Sequence, residues 1–284
     1  MMATARAACV VGWPVEHSRS PLIHDYWLKH YGIAGEYRRE AVPPEALGAF
    51  LRSLAARGYV GANVTVPHKE PALAFSEPDD RARAVGAANT LWFEGVLRST
   101  NTDVEGFLLN LDASAPHWDR TIAKSVVLGA GGAARAVVYG LIERGVGQII
   151  VANRTFSRAE ALRKPFAKSV RAARWVERNE MLADAALLVN TTTLGMGGQP
   201  HLDIDVGRLP SHAIVADLVY LPLTTPLLRA ASARNLRTAD GLGMLMHQAV
   251  RGFALWFGTV PAVTPELRAL LQADLALPLG NAPE

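Results

Sequence analysis

The chain has 284 residues, half of them apolar and 19% charged, with 29 basic against 26 acidic side chains and a net charge of +3. That length and polarity bury one large core or two ordinary ones, which excludes wholesale disorder. No apolar run approaches the roughly 18 residues of a membrane-crossing helix, no run of cations marks a nucleic-acid-binding face, and the single cysteine, Cys9, makes neither an internal disulfide nor a zinc site alone.

From Met1 to Arg6 the chain leads into only a few apolar residues before Glu16 and His17, too short for a secretory leader, which predicts a cytoplasmic protein. Short β-branched runs then alternate with longer helical patterns, predicting α/β layers. Residues 8–12 form a first strand, with Cys9 a small buried residue inside it. Ser20 and Pro21 open a helix, the serine as its cap and the proline at the first helical position. Leu22, Ile23, Tyr26, Trp27 and His30 follow at helical spacing, and Gly32 closes it. Residues 45–57 read as a second helix ended by Gly58, and residues 62–66 as a strand stopped by Pro67. Residues 88–93 and 96–100 pair across the Glu94-Gly95 turn. Residues 125–128 are a buried strand that runs into a glycine turn, a helix to about Arg144 and a strand over 148–152. That order is a βαβ unit. Further strands fall at 187–190 and 213–217, and residues 242–257 are helical.

The glycine turn carries the first chemical signal. In Gly129-Ala130-Gly131-Gly132-Ala133-Ala134 the first glycine permits the tight turn and Gly131 lets backbone N–H groups approach a pyrophosphate. Ala134 is small enough for close helix–strand packing, and the helix N-terminus adds partial positive charge. A merely structural turn is the bland reading; the βαβ context favours a dinucleotide. An NAD site places an acid near the end of the next strand. Here stand Asn153, Arg154, Thr155 and then Arg158, with no acid until Glu160. Two guanidinium groups suit a 2′-phosphate, so NADP is favoured over two simply solvated arginines.

The N-terminal half holds polar residues where a core pattern wants apolar ones. Ser18 and Ser20 flank Arg19 at a helix mouth, where hydroxyls and free N–H groups bind a carboxylate; capping and turn roles explain them too. Asn63 and Thr65 alternate with Val64 and Val66 on one strand face. Lys69 follows at that strand's C-terminal end, Asn89-Thr90 ends the Val85-Gly86-Ala87-Ala88 segment, and Asn101-Thr102-Asp103 starts the next helix.

Taken in order, Ser18-x-Ser20-Pro21, Asn63-Val64-Thr65-Val66-Pro67-His68-Lys69, Gly86-Ala87-Ala88-Asn89-Thr90 and Asn101-Thr102-Asp103 resemble the shikimate dehydrogenase family. So do the glycine turn, Asn153-Arg154-Thr155, the Asn190 to Met196 segment, Asp240-Gly241-Leu242-Gly243-Met244 and Gln248. The resemblance implies NADP-dependent, reversible reduction of 3-dehydroshikimate to shikimate. It makes Lys69 and Asp103 the catalytic pair, and Ser18, Ser20, Asn63, Thr65, Asn89, Tyr220 and Gln248 the substrate contacts. It implies cofactor contacts at Gly129, Ala130, Gly131, Gly132, Ala133, Asn153, Arg154, Thr155, Arg158 and Gly241, and no metal. The implied fold is two α/β domains. Residues 1–105 and 240–284 form a discontinuous substrate domain completed by C-terminal helices, and residues 106–239 a Rossmann-like NADP domain. The expected partner is a small molecule, with neither nucleic acid nor membrane, and the expected assembly a monomer or homodimer. Val104 departs from the family's usual glycine, and Thr191-Thr192-Thr193 is unusually rich in threonine. The closest rival is a quinate or dual quinate/shikimate dehydrogenase; quinate users often carry threonine at the second serine, and this chain keeps Ser20. A non-catalytic sensor of the same metabolites fits the intact Lys69/Asp103 pair poorly. A methylene-tetrahydrofolate dehydrogenase leaves Ser18-x-Ser20 unexplained.

Overall fold

The computed structural model of the chain describes residues 6–277. Residues 1–5, which begin the stretch read as lacking a leader, and residues 278–284, the end of the expected C-terminal return, lie outside the described residues. In chain order the elements are β1 (Arg6–Gly12), α1 (Ser20–His30), β2 (Gly35–Ala41), α2 (Leu47–Arg52), β3 (Tyr59–Val64), β4 (Glu77–Pro78), α3 (Asp80–Val85), β5 (Thr90–Glu94), β6 (Val96–Thr100) and α4 (Asp103–Ser114). There follow β7 (Lys124–Leu128), α5 (Gly132–Glu143), β8 (Gln148–Asn153), α6 (Phe156–Arg163), β9 (Val170–Arg174), β10 (Leu187–Asn190), β11 (Ile214–Asp217), α7 (Pro226–Ala233), β12 (Arg237–Ala239), α8 (Gly241–Phe257) and α9 (Pro265–Ala276). Among the described residues no helix is long and apolar enough to cross a membrane.

The described residues divide into two compact units, one of residues 6–106 and 245–267, the other of residues 107–244 and 268–277. Of the stretch expected to return to the first domain, residues 245–267 group with the first unit, and residues 240–244 and 268–277 with the second. Within the second unit Asp240 is held by the Arg268 guanidinium, and its carbonyl accepts from Asn110 Nδ2 at 2.7 Å.

The first unit is built on a mixed sheet in the order β2-β1-β3-β5-β6-β4. β1 runs parallel to both β2 and β3, while β5 is antiparallel to β3 and β6. From Ala7 to Gly12 every residue of β1 is buried, as befits a strand covered on both faces. One face packs Cys9, Val11, Phe50, Leu51, Leu54, Ala62, Val64 and Leu91. The other is aromatic: His24, Trp27, Tyr37, Phe253 and Trp256 meet edge to face or stacked. Trp256 Nε1 also donates to Leu91 O at 2.8 Å, which ties α8 to β5. Burial pushes the Cys9 thiol far up, so it behaves as a small apolar residue.

Two helices differ from their sequence reading. α2 spans only Leu47–Arg52 because the Ser53 hydroxyl turns back onto Phe50 O at 3.0 Å and competes with the helix ladder. α1 is capped by Arg19 and not by Ser20, and no side chain caps it. Ser20 lies inside the first turn, and the hydroxyl that meets its N–H, at 3.3 Å, belongs to Ser18.

The second unit carries an all-parallel sheet in the order β12-β11-β10-β7-β8-β9. The chain leaves β7 outward through β8 and β9 and then returns to the other side of β7 at β10. The strand order therefore reverses between β7 and β10, where open α/β sheets bind ligands beyond the strands' C-terminal ends. Its core includes Val126, Leu128, Ile150, Leu182, Leu188, Val215 and Leu228.

Candidate active site

Lys69 and Asp103 are brought together from separate strand ends of the first unit. β3 releases the chain at Val64 into a loop that His68 pins, its ring Nε2 lying 2.7 Å from Val42 O. The Lys69 carbonyl accepts from Ala88 N–H at 2.8 Å, which fixes the lysine against the segment leading into β5. Asp103 is the first residue of α4, where the helix dipole favours a carboxylate. Its N–H donates to Asn101 Oδ1 at 3.1 Å, and Asn101 Nδ2 donates to Ala87 O at 2.9 Å. The side chains meet with Lys69 Nζ 2.5 Å from Asp103 Oδ2, the lysine 19% and the aspartate 7% exposed. Val104, the departure from the family pattern, is fully buried and leaves this pair intact.

Behind the pair runs a buried network that leaves few polar groups idle. Asn89 Nδ2 donates to Asp103 Oδ1 at 2.9 Å, and Asn89 Oδ1 accepts from Thr102 N–H at 2.7 Å. Asn63 Nδ2 donates to Asn89 O at 3.1 Å and to Thr90 Oγ1 at 3.2 Å, while its Oδ1 accepts from the Tyr37 hydroxyl at 2.6 Å. An amide has two donor hydrogens and two acceptor sites. Asn63 is thereby left with one acceptor site, and Asn89 with one donor hydrogen, for anything else. Burial raises the Tyr37 hydroxyl well above the ordinary tyrosine range, with Ser20 pulling the other way through a side-chain hydrogen bond.

Other expected contacts are placed less tightly. Arg39 reaches Ser18 O at 2.7 Å and holds the serine turn onto β2. Thr65 donates its N–H to Val11 O at 2.9 Å, and its methyl lies where a Cβ on Gly12 would stand, 2.4 Å away, so Gly12 must be glycine. Gln248 is buried on α8 and donates to Leu245 O at 3.0 Å within its own helix. Tyr220 belongs to the second unit, in the loop after β11. That loop is anchored by Asp217, whose Oδ1 accepts from Val219 N–H at 3.1 Å and Asn190 Nδ2 at 2.9 Å. Burial raises the Asp217 carboxyl, and Thr225, Val219 and Asn190 oppose that rise by hydrogen bonding.

At the end of β7 the backbone does the work. Gly129 has φ +109, and a Cβ there would lie 2.5 Å from Thr191 Oγ1, which itself donates to Leu128 O at 2.6 Å. Two of the unexpected threonines thus have local jobs, since Thr192 Oγ1 likewise donates to Asn190 Oδ1 at 2.7 Å. Gly131 differs: its φ is −92, and a Cβ there would meet nothing within 4 Å. No side chain caps α5, and Gly131, Gly132 and Ala133 remain half-exposed. The next strand, β8, ends at Asn153, whose Nδ2 donates to Thr155 O at 2.8 Å. Arg154, Thr155 and Arg158 are exposed beyond it. Gly241 opens α8 so close to the loop after β11 that a Cβ would lie 2.3 Å from Leu218 O. An ammonium paired to a carboxylate can give or hold a proton, and an open, uncapped helix start can hold an anion.

Tyr37 and His24 escape sequence reasoning. Tyr37 is the only buried residue of β2, so no alternation marks its strand. His24 lies on the buried face of α1, whereas His30, expected on that face, is exposed.

A family model described as the shikimate dehydrogenase substrate binding domain matches residues 10–91, and one described as shikimate/quinate 5-dehydrogenase matches residues 115–195. A protein of Nitrobacter winogradskyi named shikimate dehydrogenase (NADP(+)) is 65% identical over 273 residues, 96% of this chain and 98% of that protein. The solved shikimate 5-dehydrogenase of Thermus thermophilus, in complex with NADP(H) and shikimate, is 37% identical with a TM-score of 0.84, over 94% of this chain and 99% of that one. The solved quinate dehydrogenase of Corynebacterium glutamicum, in complex with NAD, is 31% identical with a TM-score of 0.87, over 96% of this chain and 99% of that one.

Proposed function

This chain belongs to the shikimate dehydrogenase family, and on that premise we propose that it catalyses the reversible NADP-dependent reduction of 3-dehydroshikimate to shikimate, with Lys69 and Asp103 as its catalytic pair. The observation that carries the reading is the 2.5 Å contact of Lys69 Nζ with Asp103 Oδ2, set at strand ends and supported by the buried Asn63 and Asn89 network.

When bound, NADPH would supply the hydride for the ring ketone. Lys69 Nζ is the proton donor to the ketone oxygen, where negative charge would otherwise develop. Asp103 Oδ2 holds that ammonium in place, and its Oδ1 is fixed by Asn89, so the pair works as one unit. The remaining Asn89 donor and Asn63 acceptor sites serve ring hydroxyls, with Thr65, Tyr220 and Gln248 as further contacts. Ser18 and Ser20 hold the ring carboxylate. The cytoplasmic setting expected from the sequence is kept as part of this proposal.

The cofactor residues fit NADP on three observations. The α5 start is uncapped, Gly131 is open where a side chain would intrude, and Arg154 and Arg158 stand exposed at the end of β8. Gly129 and Ala130 shape the turn, while Gly131, Gly132 and Ala133 would hold the pyrophosphate. Asn153, Arg154, Thr155 and Arg158 would hold the phosphorylated ribose. Gly241 is assigned to the same cofactor.

Following NADPH formation with shikimate, with quinate and with neither tests the whole reading. We expect shikimate to be preferred by roughly tenfold or more in kcat/KM, about 1.4 kcal/mol, because quinate adds a hydroxyl beside the carboxylate that Ser18 and Ser20 hold. Equal efficiency with quinate would overturn the substrate assignment, and no NADPH from either would overturn the function.

A further inference from the structure

We infer that Arg174 is a third arginine of the 2′-phosphate site and helps set the choice of NADP over NAD. The inference rests on the reading of the glycine turn, Arg154 and Arg158 as a dinucleotide site. It starts from register: β8 and β9 run parallel with Asn153 opposite Arg174, each the last residue of its strand. A nucleotide whose ribose lies at the end of β8 has β9 as its next neighbour outward. Arg174 therefore leaves the sheet beside the loop that carries the other two arginines.

The side chain turns toward that loop. The Arg174 guanidinium lies 5.8 Å from the centroid of Phe156, the first residue of α6, two residues after Arg154 and two before Arg158. Stacking on an aromatic face orients the planar fork in advance of any ligand, so less freedom is lost when it binds. Phe156 stays 40% exposed, so the stack is at the surface and open to a ligand.

Charge points the same way. Among the described residues, Arg154, Arg158 and Arg174 form no ion pair with a carboxylate, whereas Arg144, Arg163, Arg178 and Arg268 each do. The acids nearest in sequence are engaged: Glu160 pairs with Arg163 at 3.1 Å, and Glu177 Oε2 accepts from the Arg174 backbone N–H at 2.7 Å. One guanidinium over the Phe156 ring and two more cations two residues to either side of it in sequence, with no carboxylate on any of the three among the described residues, suit a dianionic phosphate. NAD, which lacks that phosphate, gains nothing from the third arginine.

The test is calorimetric titration of the full chain with adenosine 2′-phosphate, adenosine 5′-phosphate, NADP⁺ and NAD⁺. Arg174→Leu is expected to lower affinity for NADP⁺ and adenosine 2′-phosphate about tenfold, the scale of one lost charge-assisted hydrogen bond. Affinity for NAD⁺ and adenosine 5′-phosphate should hold. Arg174→Lys should recover part of the loss, and Phe156→Leu, which keeps all three charges, should fall between. Equal losses for NADP⁺ and NAD⁺, or unchanged binding of adenosine 2′-phosphate, would overturn the inference while leaving the dinucleotide site standing. If the unaltered chain binds adenosine 2′-phosphate no better than the 5′ isomer, the underlying reading of Arg154 and Arg158 falls, and the inference with it.

Discussion

Around Lys69 nearly every polar group has already found a partner inside the protein. The chain of bonds from Tyr37 through Asn63 and Asn89 to Asp103 is complete without a ligand. Around Gly131 the opposite holds: the helix start is uncapped, the loop glycine is open, and, among the described residues, Arg154, Arg158 and Arg174 carry no carboxylate. The first region spends its bonds on fixing Lys69 and Asp103, so that in the proposed roles no reorganisation is left for the moment of reaction. The second leaves its donors unspent, and in the proposed site a phosphate would fill them on arrival. Satisfied polar groups position chemistry; unsatisfied ones at the surface recruit an anion.

Breaking the satisfied region at its centre has the largest expected effect. Lys69→Met keeps the stem but removes the proposed proton donor, and turnover should fall by about 100-fold or more, the usual scale for an acid–base group. Affinity for NADP⁺, measured by titration, should be retained. Asp103→Asn should also lose rate, and the double variant should lose less than the product of the singles, as expected of groups that act as a unit. Near-normal turnover in Lys69→Met would remove that residue from the mechanism.

The open region should respond in the reverse manner, and two glycines make the contrast measurable. Gly131 has φ −92 and free space at its missing Cβ, so Gly131→Val should leave the melting temperature nearly unchanged. Its side chain would fill the anion cradle, and affinity for NADP⁺ should drop about tenfold or more, the value of one or two charge-assisted bonds. Gly129 is glycine for the fold, with φ +109 and Thr191 Oγ1 2.5 Å from a Cβ. Gly129→Val should therefore cost stability, about 1–3 kcal/mol from backbone strain alone. Should both variants lose stability alike, Gly131 would be a structural glycine and the contrast would fail.

The same division between buried and open decides what the sequence discloses. β1, β3, β5, β6, β7, β8, β10 and β11 are interior strands, and runs such as Val126-Val127-Leu128 betray them by being apolar throughout. The strands that escape sequence reading, β2, β4, β9 and β12, are the four sheet edges. These edges are either very short, as β4 and β12 are, or charged, as in Gly35-Glu36-Tyr37-Arg38-Arg39 of β2, because an apolar edge invites aggregation. Candidate residues on those edges are hidden with them, which is why Tyr37 and Arg174 emerge only from the structure. Lys69, Asp103 and the glycine turn are legible because each follows an interior strand.

His24 is an exception within the satisfied region, and it sharpens the comparison most finely. The ring is fully buried and stacked on Tyr37, with centroids 4.0 Å apart and planes 7° from parallel. Trp27, Phe253 and Trp256 enclose it, and neither ring nitrogen has a hydrogen-bond partner of normal geometry. Burial pushes its pKa down to about 3, against a smaller upward pull from the Asn63 side chain. A folded pKa below the unfolded value of about 6.5 means that, between those values, the unfolded chain holds the extra proton. Stability must then fall as pH drops through that window, with a slope of up to about 1.4 kcal/mol per pH unit, and be unaffected by His24 above it. His24→Phe keeps the stacked ring and removes the titration. Urea unfolding at pH 7 and pH 5.5 should show the variant losing about 1 kcal/mol less than the parent over that interval. Identical pH slopes in the two proteins would mean that the imidazole is not held neutral, and that the aromatic face behind Asn63 is as well satisfied as the network in front of it.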